Sequence, residues 1–527
     1  AYSTIVREAR DCSAALLDRG GNVIAQAELI PMQLGPIGAT FAPCAALYPV
    51  ETLREGDFFV NNDPFNGGQH LQDVFIFHPI FFNNEVVGFS ATVAHHLDLG
   101  GGSPGLNTSA SDVYQEGLLI PPTKFNMERD WNGGVLERIV SANIRVPQQT
   151  IGDFNAQIAA NAIGAARIQQ LCEKYGVDAV TATMAELLDY SERRVRAAIG
   201  AAPDGVYVGE DAVDDDGLSE EPLRIRSTVT IKGDQIEVDF EGTCPQVARN
   251  LNSPFSSTVS AALSCVKAVL TSPDIPFNEG SKRAITVKAP LGSLLNPRHP
   301  APVRARMEAC FRAWNATMKA LAQAVPEQVI AAGFDTTTVG CFANLGPSGY
   351  GVYLEVFGGG YGASPANDGC DAVDGPLSNC SNAPIETLDM DFDFFRVIGY
   401  GLAPDSFGHG AHRGGAGFYR QYEVLKDGPT LALYADRFRF PPEGLFGGTP
   451  GTTGSCTVLR DGATISLKSK DAFALKKGDI VTFTLGGGGG YGDPRARRRE
   501  LVEDDVADGL LSAAAAASVY GLRDAAE

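Results

Sequence analysis

The sequence predicts a mixed α/β (α+β), multi-domain fold, rich in antiparallel hairpins and carrying pairs of helices. Three observations lead there. The chain has 527 residues, too many for one hydrophobic core. Short apolar runs of period two are joined by turn residues near 14–27, 73–93 and 227–240. Apolar residues recur at a spacing near 3.6 in 151–200, 256–271 and 305–324.

The elements follow in chain order. Ala14–Asp18, the turn Arg19-Gly-Gly-Asn22 and Val23–Ala27 make the first hairpin. Asp73–Phe82 and Val86–Val93, separated by Asn83-Asn84, make the second. Asp153 is positioned to cap a helix through Ile158, Ile163, Ile168 and Leu171 that Gly176 ends. A second helix follows Asp178 and closes at Gly200. Residues 203–220 are acidic and glycine-bearing, and read as an exposed linker at a domain boundary. Ser227–Ile231 and Ile236–Phe240 form a third hairpin around Lys232-Gly-Asp. Beyond 330, glycine-rich tight turns separate short strands, and the chain finishes in an acidic helix over 501–510 and an alanine-rich one over 512–519. The expected division is 1–202, a metal-site domain with the helical pair; 203–330, a hairpin and helix domain; and 331–527, a glycine-rich β domain with a C-terminal helix.

Composition narrows the function. With 42 Lys and Arg against 63 Asp and Glu the formal charge is −21, which repels nucleic acid and anionic membrane surfaces alike. No apolar run reaches the ~18–20 residues that span a bilayer. The ten cysteines are scattered without a CxxC pair, a pattern that fits reduced thiols in a cytoplasmic protein. The glycine runs are not phosphate loops, because no GxxxxGK[ST] is present.

Titratable chemistry is concentrated in residues 61–125. Four of the seven histidines, His70, His78, His95 and His96, lie there, interleaved with Asp63, Asp73 and Asp98. Imidazole and carboxylate without thiolate suit a catalytic Zn²⁺, Mn²⁺ or Fe²⁺. A hairpin brings its two ends together, so His70, Asp73 and His95 can converge although they are far apart in sequence. His70 and Asp73 form an HxxD pair, which in a helical turn would share one face. His96 and Asp98 are candidates to orient His95 or to shuttle protons. Asp63 is a candidate fourth ligand and Glu116 a candidate general base. For these last four the structural alternative is a satisfied polar group in a loop. His78, inside an apolar strand, reads as structural, and so do the isolated His409 and His412.

Several of these strings are similar to the hydantoinase B family: Asn62-Asp63-Pro64-Phe65-x-Gly67-Gly68-Gln69-His70-Leu71-x-Asp73, Ala94-His95-His96-Leu97-Asp98-x-Gly100-Gly101, Gln115-Glu116-Gly117, Asp274-Ile-Pro-Phe-Asn278-x-Gly280, Arg413-Gly-Gly415 and the terminal Gly-Gly-Gly-Tyr-Gly-Asp-Pro494. The chain resembles that family over almost its whole length. Two departures stand out: Gln69-His70-Leu71-Gln72-Asp73 replaces a common Thr-His-Leu-Pro-Asp, and many members start some twenty residues before Ala1, which implies a preceding N-terminal helix. The resemblance implies that His70, Asp73 and His95 ligate a divalent metal. It implies a subunit of an ATP-dependent hydrolase of a hydantoin, lactam or 5-oxoproline, working in a hetero-oligomer. The partner would be a hydantoinase A-like subunit with an actin-like fold, through which ATP and Mg²⁺ are used. The alternatives are a subunit of an acetone- or acetophenone-type carboxylase and a catalytically silent scaffold for the ATPase.

Overall fold

The computed structural model describes residues 1–27, 29–347 and 349–522. They form two compact units. One comprises Ala1–Asp211 and Arg224–Ala320; the other comprises Ala212–Leu223 and the chain from Leu321 onward.

The first unit is built on a six-stranded antiparallel sheet of β1 (Cys12–Asp18), β2 (Val23–Gln26), β3 (Asp57–Asn61), β4 (Asp73–Phe82), β5 (Glu85–His95) and β6 (Thr123–Asn126), in the order β2-β1-β5-β4-β3-β6. The β4–β5 turn is tight because Asn83 and Asn84 both adopt positive φ, 50° and 64°, which asparagine tolerates better than most residues. β4 is apolar on both faces because both are covered. Phe75 and Phe77 pack with Phe41, Phe59 and Phe89 on one side; Val74 and Ile76 pack with Trp131 and Phe154 on the other.

The predicted helical pair spans Pro147–Tyr175 and Val177–Ile199. The first helix starts earlier than Asp153, at Pro147, whose fixed φ suits a first helical position. Asp153 is therefore not a cap: it lies inside the helix, and its carboxylate accepts the N–H groups of Tyr2 and Ser3. Gln157 and Asn161, one turn apart on this helix, donate to the Val74 and Ile76 carbonyls of β4.

A second, four-stranded sheet runs β10-β9-β8-β7, from β7 (Gly205–Val213), β8 (Leu223–Lys232), β9 (Gln235–Asp239) and β10 (Ile285–Lys288). β10 lies parallel to β9 after a crossover through the helix Phe255–Leu270. Two expectations change here. The first half of the stretch 203–220 is strand β7, paired with β8, and Asp214 is 1% exposed, not solvated, while 217–220 are exposed as expected. Most of 203–330 belongs to the first unit, since Leu263 and Phe277 share a cluster with Phe41 and Phe89.

In the second unit, β11 (Thr338–Gly346), β12 (Gly349–Phe357), β15 (Thr430–Tyr434) and β18 (Lys470–Ala474) form one sheet in the order β12-β11-β15-β18. β13 (Phe395–Leu402), β14 (Phe418–Val424), β16 (Ser455–Arg460), β17 (Ala463–Ser466) and β19 (Ile480–Thr484) form another, β13-β14-β19-β16-β17. Phe342, Tyr353, Phe395, Tyr422 and Phe483 fill its core. The glycine runs are not tight turns. Gly360 donates to Gly486 O, Ala363 to Gly489 O and Gly488 to Gly415 O, so separate backbone segments lie against one another. A Cβ on Gly488 would stand 2.1 Å from Tyr361 O, and one on Gly490 2.1 Å from His409 O.

Among the described residues no helix is long and apolar enough to cross a membrane. No disulfide links the ten cysteines.

Candidate metal centre

His70 and Asp73 meet through a β-turn, not a helical turn: Asp73 N donates to His70 O at 3.1 Å as the chain enters β4. Asp73 then stands directly opposite His95 in the β4–β5 register, which points the two side chains to the same face. One ligand atom from each of His70, Asp73 and His95 falls within 4.8 Å of the other two. All three side chains are buried. The imidazole rings are 4.9 Å apart, and His70 Nε2 and His95 Nδ1 lie 3.2 and 3.6 Å from Asp73 Oδ1.

The surroundings hold each group in place. His70 Nδ1 is 3.0 Å from Arg304 O, so Nδ1 carries the proton and Nε2 presents a lone pair. Burial, reinforced by Arg306, lowers the His70 pKa to about 3. Burial alone would raise Asp73, but His70 and the Arg306 guanidinium, 2.7 Å from Oδ2, hold it well below the usual carboxylate range. Asp11 Oδ2 approaches His95 Nδ1 at 3.6 Å, and Gln33 donates to Asp11 at 2.6 Å. A neutral imidazole and an ionised carboxylate are the forms a metal takes. His70 Nε2 and His95 Nδ1 both face Asp73 Oδ1, and two imidazole nitrogens gathered on one buried carboxylate oxygen fit a divalent cation.

The other candidates are engaged differently. Asp63 accepts from Phe65 N and Asn66 Nδ2, which spends its carboxylate on its own loop. β5 ends at His95, and His96 turns away to stack on Phe154 at 4.2 Å and meet Gln157 Oε1 at 2.9 Å. Burial lowers His96 to about 4. Asp98 accepts from the backbone N and the guanidinium of Arg145, at 2.5 and 3.0 Å. Glu116 is 2% exposed and accepts from Val303 N and Arg304 N. Burial raises its carboxyl to about 8, with the two amides pulling the other way. His78 lies edge-on to Phe58 and is lowered to about 4 by burial. His409 and His412 belong to the second unit, beside Tyr520 and Asp368.

Sequence reasoning missed Asp11, Gln33, Arg304 and Arg306. None sits in a histidine-bearing motif; each is carried to the centre by pairings distant in sequence, as when His95 N donates to Asp11 O. A cavity of about 650 Å³ opens on the loop preceding His70, walled by Pro36, Phe65, Gly67, Phe255 and Val259, with Arg298 and His299 also lining it.

Comparison with known proteins agrees with this architecture. The family model described as hydantoinase B/oxoprolinase matches residues 1–494. A protein of Pseudomonas sp. (strain NS671), whose name assigns it provisionally as the B-type component of a D-/L-hydantoinase, is 36% identical across 99% of this chain and 90% of its own length. The beta chain of the caprolactamase of Pseudomonas jessenii is 31% identical across 99% of this chain and 91% of its own. The crystal structure of the ATP-dependent caprolactamase of that organism superposes with a TM-score of 0.88, at 29% identity, over 98% of this chain and 92% of the matched one. A nucleotide-free acetone carboxylase shares the fold alone, with a TM-score of 0.89 at 19% identity over 99% of this chain and 76% of its own. With a family model covering nearly all of it and relatives matched end to end, the chain belongs to the hydantoinase B/oxoprolinase family.

Proposed function

We propose that this chain is the metal-bearing subunit of an ATP-dependent cyclic amide hydrolase, acting on a hydantoin, lactam or 5-oxoproline-type ring that an ATP-binding partner subunit has activated. The observation that carries this reading is the buried cluster of His70, Asp73 and His95, in which a nitrogen of each imidazole faces the same Asp73 oxygen. Relatedness to a caprolactamase subunit favours ring-amide hydrolysis over ketone carboxylation, which rests on likeness of fold. The intact triad counts against a silent scaffold.

His70, Asp73 and His95 would hold Zn²⁺, Mn²⁺ or Fe²⁺. A divalent ion supplies Lewis acidity, polarising a carbonyl and lowering the pKa of water. The residues around the triad prepare it for that task. Arg304 O keeps the His70 lone pair on Nε2, and Arg306 holds one Asp73 oxygen while the other faces His70 and His95. The apolar walls of the cavity on the loop before His70 suit a small ring. An unstrained ring amide hydrolyses slowly, which gives ATP-driven activation by the partner its chemical purpose.

Elemental analysis of the purified protein beside His70→Ala tests the proposal. About one equivalent of Zn, Mn or Fe is expected in the wild type and a loss of it in the variant, as three protein ligands drop to two. ATP-dependent opening of a lactam by the wild type with its ATPase partner, and not by the variant, completes the case. Protein that stays metal-free even with the partner and added divalent ions overturns it.

A further inference from the structure

Glu116 lies outside the triad, yet its bonds run to the backbone that meets the His70 ring and to the residue before Asp73. Its carboxylate takes Val303 N on both oxygens at 3.0 Å and Arg304 N on Oε1 at 2.9 Å. The next group along, Arg304 O, is the acceptor for His70 Nδ1 at 3.0 Å. The backbone carbonyl of Glu116 takes Gln72 Nε2 at 2.8 Å, and Gln72 directly precedes Asp73. Gln72 O in turn receives the N–H of His96, next to His95. Glu116 caps the 3-10 turn Val113–Gln115, whose first N–H is tied to Pro300 O. The 113–116 turn and the 300–304 segment are thus fastened to each other at both ends.

This arrangement decides between two roles for Glu116. A general base must present its carboxylate to the reacting centre. Here both oxygens face backbone amides of 303 and 304, and the side chain is 2% exposed. The alternative is positional. A histidine ligand needs a fixed acceptor on one ring nitrogen, so that the other offers its lone pair in a set direction. The segment 301–304 belongs to no sheet or helix, so its carbonyls are aimed by individual bonds, of which those from Val303 N and Arg304 N to Glu116 lie nearest Arg304 O.

We propose that Glu116 is a positioning residue for the metal centre: by clamping the Val303 and Arg304 amides it aims Arg304 O at His70 Nδ1 and so fixes the tautomer that turns Nε2 toward Asp73 and His95. The inference rests on the metal-site reading above, but its first consequence concerns the imidazole alone and is measurable without any ion.

The test uses full-length protein with ¹⁵N-labelled histidine, the His70 signals being assigned by their loss in His70→Ala. Metal-free wild type should show His70 protonated at Nδ1. Glu116→Ala should give a mixture of tautomers at His70 while the ring signals of His96, held by Gln157, stay in place; general loosening of the core would move both. Glu116→Gln should give a smaller shift at His70, since an oxygen in the place of Oε1 can still take both amides while a donor replaces Oε2. Titration with Mn²⁺ or Zn²⁺ should then show affinity reduced by about 10–100-fold in Glu116→Ala, with a changed Co²⁺ absorption spectrum. If Glu116→Ala does not fold, Glu116→Gln decides by the same signals. Wild-type His70 signals and wild-type affinity in the folded variants overturn the clamp. A shifted His70 tautomer in a protein that takes up no metal overturns the proposed function and leaves the clamp standing.

Discussion

Arg306 shows how a residue far from every histidine motif governs the centre. Its guanidinium is 4% exposed and bonds Asp73 Oδ2, with Gln69 Oε1 at 3.5 Å. One nitrogen, Nη2, makes both contacts and so ties Asp73 Oδ2 to Gln69. Arg306→Lys keeps the charge but displaces the donor, so divalent-metal affinity should fall by about tenfold without a change in fold, as isothermal titration would show. The clustering of His70, Asp73 and His95 was legible, because imidazole and carboxylate gather in one stretch of the chain. The surroundings of Asp63, His96 and Asp98 were not legible. Each lies in that same stretch, and only the Asn66 amide, Gln157 and the Arg145 guanidinium show that their side chains are engaged elsewhere.

Hairpins and long helices could be read from periodicity, since β1–β2, β4–β5 and β8–β9 are local in sequence and closed by turn residues. Two kinds of element could not. β7 hid beneath acidic residues that charge patterning assigns to a loop, although its partner strand supplies the burial. The glycine runs read as turns because glycine's conformational freedom is its commoner use, whereas here the absent side chain is what matters. The same logic explains Asn278-x-Gly280. Asn278 caps the turn Glu279–Lys282 and donates to Ser191 Oγ, and a Cβ on Gly280 would lie 1.9 Å from Leu188 O in the helix Val177–Ile199. Alanine ordinarily favours a helical turn over glycine by up to about 1 kcal/mol. Gly280→Ala should nonetheless destabilise the protein by about 1–3 kcal/mol, because backbone and not a flexible side chain must yield. Urea denaturation of the variant beside wild type measures this.

At the scale of the molecule the chain passes between its two units three times, and the crossing segment Ala212–Leu223 is fixed within the second unit by Asp214. That carboxylate accepts the N–H groups of Phe438 and Arg439, while Asp436 lies close by. Burial first, and repulsion from Asp436 second, raise its pKa to about 6. A raised folded-state pKa means that the folded protein binds the proton more tightly than the unfolded chain. The stabilisation is complete below the ordinary carboxylate pKa and is lost as pH rises through about 6. From this group alone, stability should fall across that window by up to about 1.4 kcal/mol per pH unit. Asp214→Asn should flatten the slope between about pH 4 and 6, and denaturant melts at stepped pH read it directly. The placing of Asp73 opposite His95 has a wider consequence. In a sheet, displacement of one strand by a single residue turns every side chain to the other face. A misaligned β4 would send Asp73 away from His95 and part the three side chains in the same movement. With a cation held there as proposed, its capture would serve as a proofreading step that rewards only chains whose central strands have found their proper alignment.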